Sequence, residues 1–196
     1  FRLARLGLGV FGVLTELTLE SVPAFRLAAD EHAEDFDEVR RTFPERVAAV
    51  DHMEFYWFPG TDLALVKENT RLPGIENADG SPTSGLLDRA GEFSSDEVIN
   101  NAGLLAVCEL AKATPKLTRR LNALAAKTVS TRRYVDDAHR VFVSPRRVRF
   151  SEMEYAVPLE TLPEVLDEVR RTIDRHRAWV SFPLEIRAAK GDDVAL

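Results

Sequence analysis

Two hydrophobic periodicities alternate along the 196-residue chain. Near the start, Val13, Leu14, Leu17 and Leu19 sit among threonines, a composition that favours an extended strand over residues 13–19. Ahead of them, Gly7, Gly9 and Gly12 permit positive φ and close approach of a ligand to the backbone. They lead into a strand, whereas a dinucleotide fingerprint leads from a strand into a helix, so that motif is excluded. A bulged turn at a sheet edge is the other reading. After an extended piece at 24–28, Ala33, Phe36, Val39 and Phe43 recur at helical spacing. They predict a helix over 30–43, with Asp30 as N-cap, Arg40 and Arg41 near its C-terminal end, and Pro44 as its stop.

The pattern then returns to period two. Residues 50–58 predict a strand with Met53, Phe55 and Trp57 on a core face. The opposite face carries His52, Glu54, Tyr56 and Phe58, a mixed aromatic and ionisable wall that suits the border of a ligand cavity. Pro59 and Gly60 turn the chain, 63–71 reads as a short helical turn plus a strand, and 73–85 is a polar loop. Residues 86–130 are helical, with one stripe from Val98 to Ala111 and a second from Leu117 to Val129. Pro115 separates the two helices, with Thr114 as a cap. The final third predicts a β-α-β unit: strand 147–157, helix 158–175, strand 180–189.

The last strand places Phe182, Leu184, Ile186 and Ala188 on one face and Glu185 and Arg187 side by side on the other. A fixed carboxylate beside a fixed guanidinium suits a hydroxyl-rich ligand. It equally suits an ion pair on a wet sheet face. The expected fold class is α+β, an antiparallel sheet flanked by helices.

Composition narrows the function. The balance of 45% hydrophobic and 30% charged residues is that of a globular protein. A net charge of -6 and the lack of a basic stripe argue against nucleic acid. The one cysteine, Cys108, lies in an apolar run and reads as a small hydrophobe. His32, His52, His139 and His176 show no metal-ligand spacing, so no metal is expected. No nucleophile elbow, phosphate loop or cysteine pair is present in the sequence. If the chain catalyses, a cofactor does the hard step. No membrane span and no signal peptide are expected. The absent initiator Met and the stop just after a strand read as a segment of something larger.

Several stretches together resemble a known group. The run from Gly7 through Gly12 to Glu16 resembles the closing motif of the flavin domain in the vanillyl-alcohol oxidase superfamily. His52-Met53-Glu54-Phe55-Tyr56-Trp57-Phe58-Pro59, Ser144-Pro145-Arg146-Arg147-Val148-Arg149-Phe150, Glu152-Met153-Glu154-Tyr155-Ala156-Val157-Pro158 and Glu185-Ile186-Arg187 with Asp192-Asp193 resemble its aldonolactone branch. That branch holds D-arabinono-1,4-lactone oxidases, L-gulono-1,4-lactone dehydrogenases and alditol oxidases, and the likeness is greatest to the gulonolactone type.

The resemblance implies that residues 1–24 finish an FAD-binding domain and that 25–196 form most of a substrate or cap domain. It implies FAD contacts at Gly9, Gly12 and Val13, with FAD bound mainly by a region outside this chain. Glu185 and Arg187 fall where the family holds a polyol or lactone over the flavin, with Tyr56 and Glu54 as further substrate contacts. The phosphate-binding loop with its flavin-linking histidine, and a His-Trp-Gly-Lys segment, are not in this sequence. The chain alone is therefore expected to be inactive. The implied activity is oxidation of a sugar lactone by hydride transfer to flavin, with oxygen or another electron acceptor as co-substrate. The alternatives are an alditol oxidase and a non-catalytic ligand-binding module with the same fold. The implied location is cytoplasmic, with peripheral membrane association left open.

Overall fold

A computed structural model describes residues 9–72, 100–127, 131–143 and 148–192. The chain divides into two compact units, Phe1–Pro23 with Ala189–Leu196, and Ala24–Ala188. Among the described residues, the larger has five strands: β1 (Arg26–Asp35), β2 (His52–Trp57), β3 (Leu63–Arg71), β4 (Arg132–Asp137) and β5 (Leu184–Arg187). They lie in the order β4-β1-β3-β2-β5, and every neighbouring pair is antiparallel. Among the described residues, five α-helices accompany them: α1 (Phe36–Arg46), α2 (Asn100–Ala113), α3 (Thr118–Lys127), α4 (Ala138–Phe142) and α5 (Leu162–His176). The α+β class is as expected.

One face of the sheet is the core. Met53, Phe55, Trp57, Ala64, Val66 and Ile186 pack under Phe36, Val39 and Phe43 of α1 and Leu162 and Leu166 of α5. Phe36 stacks on Trp57 with ring centroids 4.4 Å apart, and Phe43 meets Phe55 edge-on at 5.1 Å. Each such side chain, fully buried, contributes roughly 1.5–3 kcal/mol by leaving water. The Trp57 indole N–H donates to the Thr61 carbonyl at 2.8 Å, so the one polar atom of the ring is satisfied within the β2–β3 turn. That turn holds Gly60 at φ 83°, a conformation glycine adopts without a Cβ penalty. The Asn122 amide on α3 donates to the carbonyls of Pro59 and Val180, both at 2.9 Å, and so anchors α3 beside the turn.

The β2 strand with its apolar face, the turn at Pro59 and Gly60, and the last helix stand where the pattern predicts them. So do the helices on either side of Pro115, over the described residues. Thr114 makes no side-chain cap; its carbonyl instead accepts from the Leu117 amide at 2.9 Å. The stripe positions Val98 and Val129, the loop 73–85 and the Ser144-Pro145-Arg146-Arg147 stretch lie outside the described residues.

Several expectations need correction. The helix does not begin at Asp30. Residues 26–35 are strand β1, and Asp35 is the N-cap, accepting from the Glu38 amide at 3.1 Å. The acidic run has poor strand propensity, yet pairing with β3 on one side and β4 on the other overrides it. Cross-strand ion pairs at 2.7 Å, Arg133 to Asp30 and Arg132 to Glu31, offset the crowding of carboxylates. Nor does Pro44 end α1: it lies in the last turn, where one missing N–H is tolerated and Val47 still donates to Phe43 at 3.0 Å.

Residues 63–71 contain no helical turn; all nine belong to β3, which is paired on both edges. Residues 13–19 form no strand, and neither do 148–157. Both have strand-like composition, but a strand exists only through a ladder partner, and neither segment has one among the described residues. The expected β-α-β unit is therefore replaced by an irregular approach, helix α5, and β5 running antiparallel to β2. β5 itself covers only Leu184–Arg187, since Pro183 has no N–H to give a ladder. Strand β4 and helix α4 have no counterpart in the sequence pattern.

Candidate functional site

The second face of the sheet carries a small apolar cluster near β4 and polar side chains towards β5. Near β4 it is partly covered by α4, where Val141 packs with Leu27 and Ala29, and where Phe142 meets the His52 ring edge-on at 4.9 Å. Towards β5 the same face presents Glu54 and Tyr56 from β2, Leu65 and Lys67 from β3, and Glu185 and Arg187 from β5. Period-two alternation puts these six on one side because their neighbours Phe55, Val66 and Ile186 are committed to the core.

Strand register decides who meets whom. Glu54 lies opposite Arg187, and Tyr56 opposite Glu185, so the four residues expected to touch substrate come together as a square. The Tyr56 hydroxyl donates to Glu54 Oε1 at 3.1 Å, and Lys67 Nζ reaches the same oxygen at 2.9 Å. Arg187 Nη2 donates to both oxygens of Glu154, at 3.0 and 2.9 Å, while Nη1 stands 3.8 Å from Glu185 Oε1. The Glu154 carboxylate, with Glu185 and Glu54 adding at longer range, raises Arg187 above the usual guanidinium range. The arrangement is a cluster of three carboxylates, two cations and a phenol on one sheet face, able to donate to and accept from several hydroxyls at once.

Two residues of this cluster, Lys67 and Glu154, were not among the expected site residues. Lys67 follows once 63–71 is read as an uninterrupted alternation, which puts it on the face opposite Val66. Glu154 carries no such signal, because it reaches Arg187 from an irregular segment steadied by Phe150 stacking on Phe182 at 4.6 Å. Exposure of its charged strand side chains runs from 16% at Lys67 to 58% at Arg187. Two clefts of about 310 and 470 Å³ lie at the β2–β3 turn and involve Arg119 and Asp174, but neither includes Glu54, Tyr56, Glu185 or Arg187.

Gly9, Gly12 and Val13 belong to the smaller unit. Gly9 and Gly12 have φ of 76° and 119°, and a Cβ at either would meet nothing within 4 Å. Val13 is 89% exposed. Positive φ and open space are what close approach of a planar group to the backbone requires. Cys108 is half-buried, and burial raises its thiol, which disfavours the thiolate a nucleophile needs. Among the described residues no group of His, Cys, Asp and Glu is placed to hold a metal ion, and no helix is long and apolar enough to cross a membrane.

An antiparallel sheet packed by helices on one face, with a carboxylate–guanidinium wall on the other, defines an α+β domain. Comparison with known proteins makes this specific. The family model for D-arabinono-1,4-lactone oxidase matches residues 17–196. L-gulono-1,4-lactone dehydrogenase of Mycobacterium tuberculosis (strain ATCC 25618 / H37Rv) is 34% identical over 190 residues, which are 97% of this chain and 42% of that protein. L-gulonolactone oxidase of Mus musculus is 24% identical over 199 residues, covering all of this chain and 43% of that one. Mitochondrial L-galactono-1,4-lactone dehydrogenase of Arabidopsis thaliana is 32% identical over 66 residues, 34% of this chain and 11% of its own. The chain belongs to the D-arabinono-1,4-lactone oxidase family of aldonolactone oxidoreductases. It spans about two fifths of the length of the first two of these relatives.

Proposed function

We propose that the second sheet face binds a sugar-derived 1,4-lactone, L-gulono- or D-arabinono-1,4-lactone, within an FAD-dependent oxidoreductase acting on CH–OH groups. One observation carries the reading: the β2–β5 register pairs Tyr56 with Glu185 and Glu54 with Arg187. Family membership and the names of the relatives supply the substrate class. In this reading residues 1–24 close a flavin-binding domain of vanillyl-alcohol oxidase type, and 25–196 are its cap.

The chain's own residues divide the work. Glu185 and Glu54 accept hydrogen bonds from ring and side-chain hydroxyls, which orients the carbinol to be oxidised. Arg187 is permanently charged and carries five N–H donors, so it can serve the ligand while Nη2 remains with Glu154. Placed beside the reacting oxygen, it stabilises the alkoxide character that develops as the carbinol hydroxyl loses its proton, the charge that is then consumed as hydride leaves the carbon. The Tyr56 hydroxyl donates a hydrogen bond to Glu54 and so orients that carboxylate towards the ligand. The open backbone at Gly9, Gly12 and Val13 suits contact with FAD, which when bound supplies the hydride acceptor.

The test uses protein made from the full coding sequence. Glu185→Gln and Arg187→Met should each lower lactone turnover about 100-fold or more, the loss expected for one strong charge-stabilising group. Wild-type turnover by either variant overturns the assigned roles. Assaying xylitol and sorbitol beside the two lactones separates a lactone from an alditol enzyme. The chain of 196 residues alone should show no turnover and no stoichiometric visible flavin spectrum.

A further inference from the structure

A row of five charges crosses the polar face, one on each strand: Arg132 on β4, Glu31 on β1, Lys67 on β3, Glu54 on β2 and Arg187 on β5. Each is in register with the next, and the signs alternate across the whole sheet. Like charges directly opposite would repel, so alternation favours this register. Glu31 is only 5% exposed and commits both oxygens to β4, one to Arg132 Nε at 2.7 Å and one to the Tyr134 hydroxyl at 2.9 Å. With Glu31 so engaged, the Lys67 ammonium turns the other way, to Glu54 at 2.9 Å. Its side chain is 16% exposed, so the stem is packed rather than waving in solvent.

The consequence falls on the wall. Glu54 Oε1 takes both Lys67 and the Tyr56 hydroxyl. Without the ammonium, the cation facing Glu54 in the ladder is Arg187, and the pull on the guanidinium changes. Resting on the lactone-binding reading above, we propose that Lys67 is a positioning residue for the ligand. It holds Glu54 and Tyr56 in one arrangement and leaves Arg187 directed to Glu154, Glu185 and the substrate. A residue acting this way alters ground-state orientation more than chemistry, so it is expressed in KM rather than kcat.

In protein from the full coding sequence, Lys67→Met should raise KM for the lactone about tenfold and change kcat less than about threefold. Lys67→Arg, which restores the charge, should recover most of the loss. Glu54→Gln should raise KM similarly, and the double variant should be no worse than the Glu54→Gln single, because the two residues act as one unit. A Lys67→Met enzyme with wild-type KM overturns the inference, as does a folded Lys67→Arg enzyme no better than Lys67→Met. If Lys67→Met does not fold, Lys67→Gln takes its place under the same criteria. Failure of the wild type to oxidise any lactone or alditol overturns the underlying function instead, which keeps the two failures distinct.

Discussion

Phe55 and Tyr56 are adjacent in sequence and belong to opposite worlds. Phe55 is fully buried against Phe36 and Phe43, while the Tyr56 hydroxyl donates to Glu54 on the opposite face, where Glu185 is its register partner. The two faces of one sheet thus do different work with the same backbone. The packed face gains stability from burial, which is non-directional and tolerant of detail. The polar face gains little, because exposed ion pairs such as Arg187–Glu154 contribute about 0–1 kcal/mol. What it gains is fixed direction, since strand register sets every cross-strand neighbour at once. A wall that is poor at stabilising the fold and well ordered in its hydrogen bonds is what a binding surface requires.

Three substitutions would break or sharpen this contrast. Phe55→Ala should be the most damaging to the fold, at about 3–5 kcal/mol, from lost transfer energy plus the cavity left between two aromatic neighbours. Urea unfolding measures it, and a cost below about 1 kcal/mol would mean the helix-packed face is not the core.

The packed face also holds one charged cluster, at its β1–α1 edge. Arg46 grips Glu34 through two hydrogen bonds of 2.8 Å and reaches Glu68 at 2.8 Å, while His32 lies 2.6 Å from Glu34. The Arg46 hydrogen bond is the main cause that holds the Glu34 carboxyl below its ordinary value of 4.5 despite partial burial. A depressed folded-state pKa gives stability that is full above the unfolded value and is lost as pH falls through the folded one. Glu34→Gln should therefore destabilise the protein at pH 7 and flatten the loss of stability on acidification below about pH 4.5. Parallel acid-unfolding curves for wild type and variant would remove Glu34 from the account.

Tyr56→Phe should be the mildest for the fold, within about 1 kcal/mol, the usual net worth of one hydrogen bond. Its effect should be read in ligand affinity instead. A large stability loss with unchanged affinity would reverse the roles of the two faces.

Much of the packed face was legible in the sequence. The alternation of Met53, Phe55 and Trp57, the turn at Pro59 and Gly60, and the stripe of Leu162, Leu166 and Val169 on α5 are local patterns with local causes. The β1–α1 boundary was not legible, because Ala33, Phe36, Val39 and Phe43 share a helical spacing although Ala33 belongs to a strand. Only pairing with β3 and β4 separates them. The segment 148–157 misleads in the other direction: its composition suits a strand, but β-structure needs a partner, and it has none among the described residues. Of the candidate site, Glu185, Arg187, Tyr56 and Glu54 were legible as residue types on strand faces. Lys67 was hidden by reading a helical turn into β3, and Glu154 by reading a strand into an irregular segment.

The sequence by itself determined which side chains could share a face, because side-chain direction in a strand alternates whatever the strand is paired with. It also determined the sign and number of charges available, and the motifs that tie the chain to its family. The tertiary structure decided the order β4-β1-β3-β2-β5 and the registers within it. Those depend on hydrogen bonds between residues as far apart in the chain as Glu54 and Arg187, which no local pattern encodes. Hence the opposition of Tyr56 to Glu185, and the five alternating charges from Arg132 to Arg187, exist only in the folded sheet.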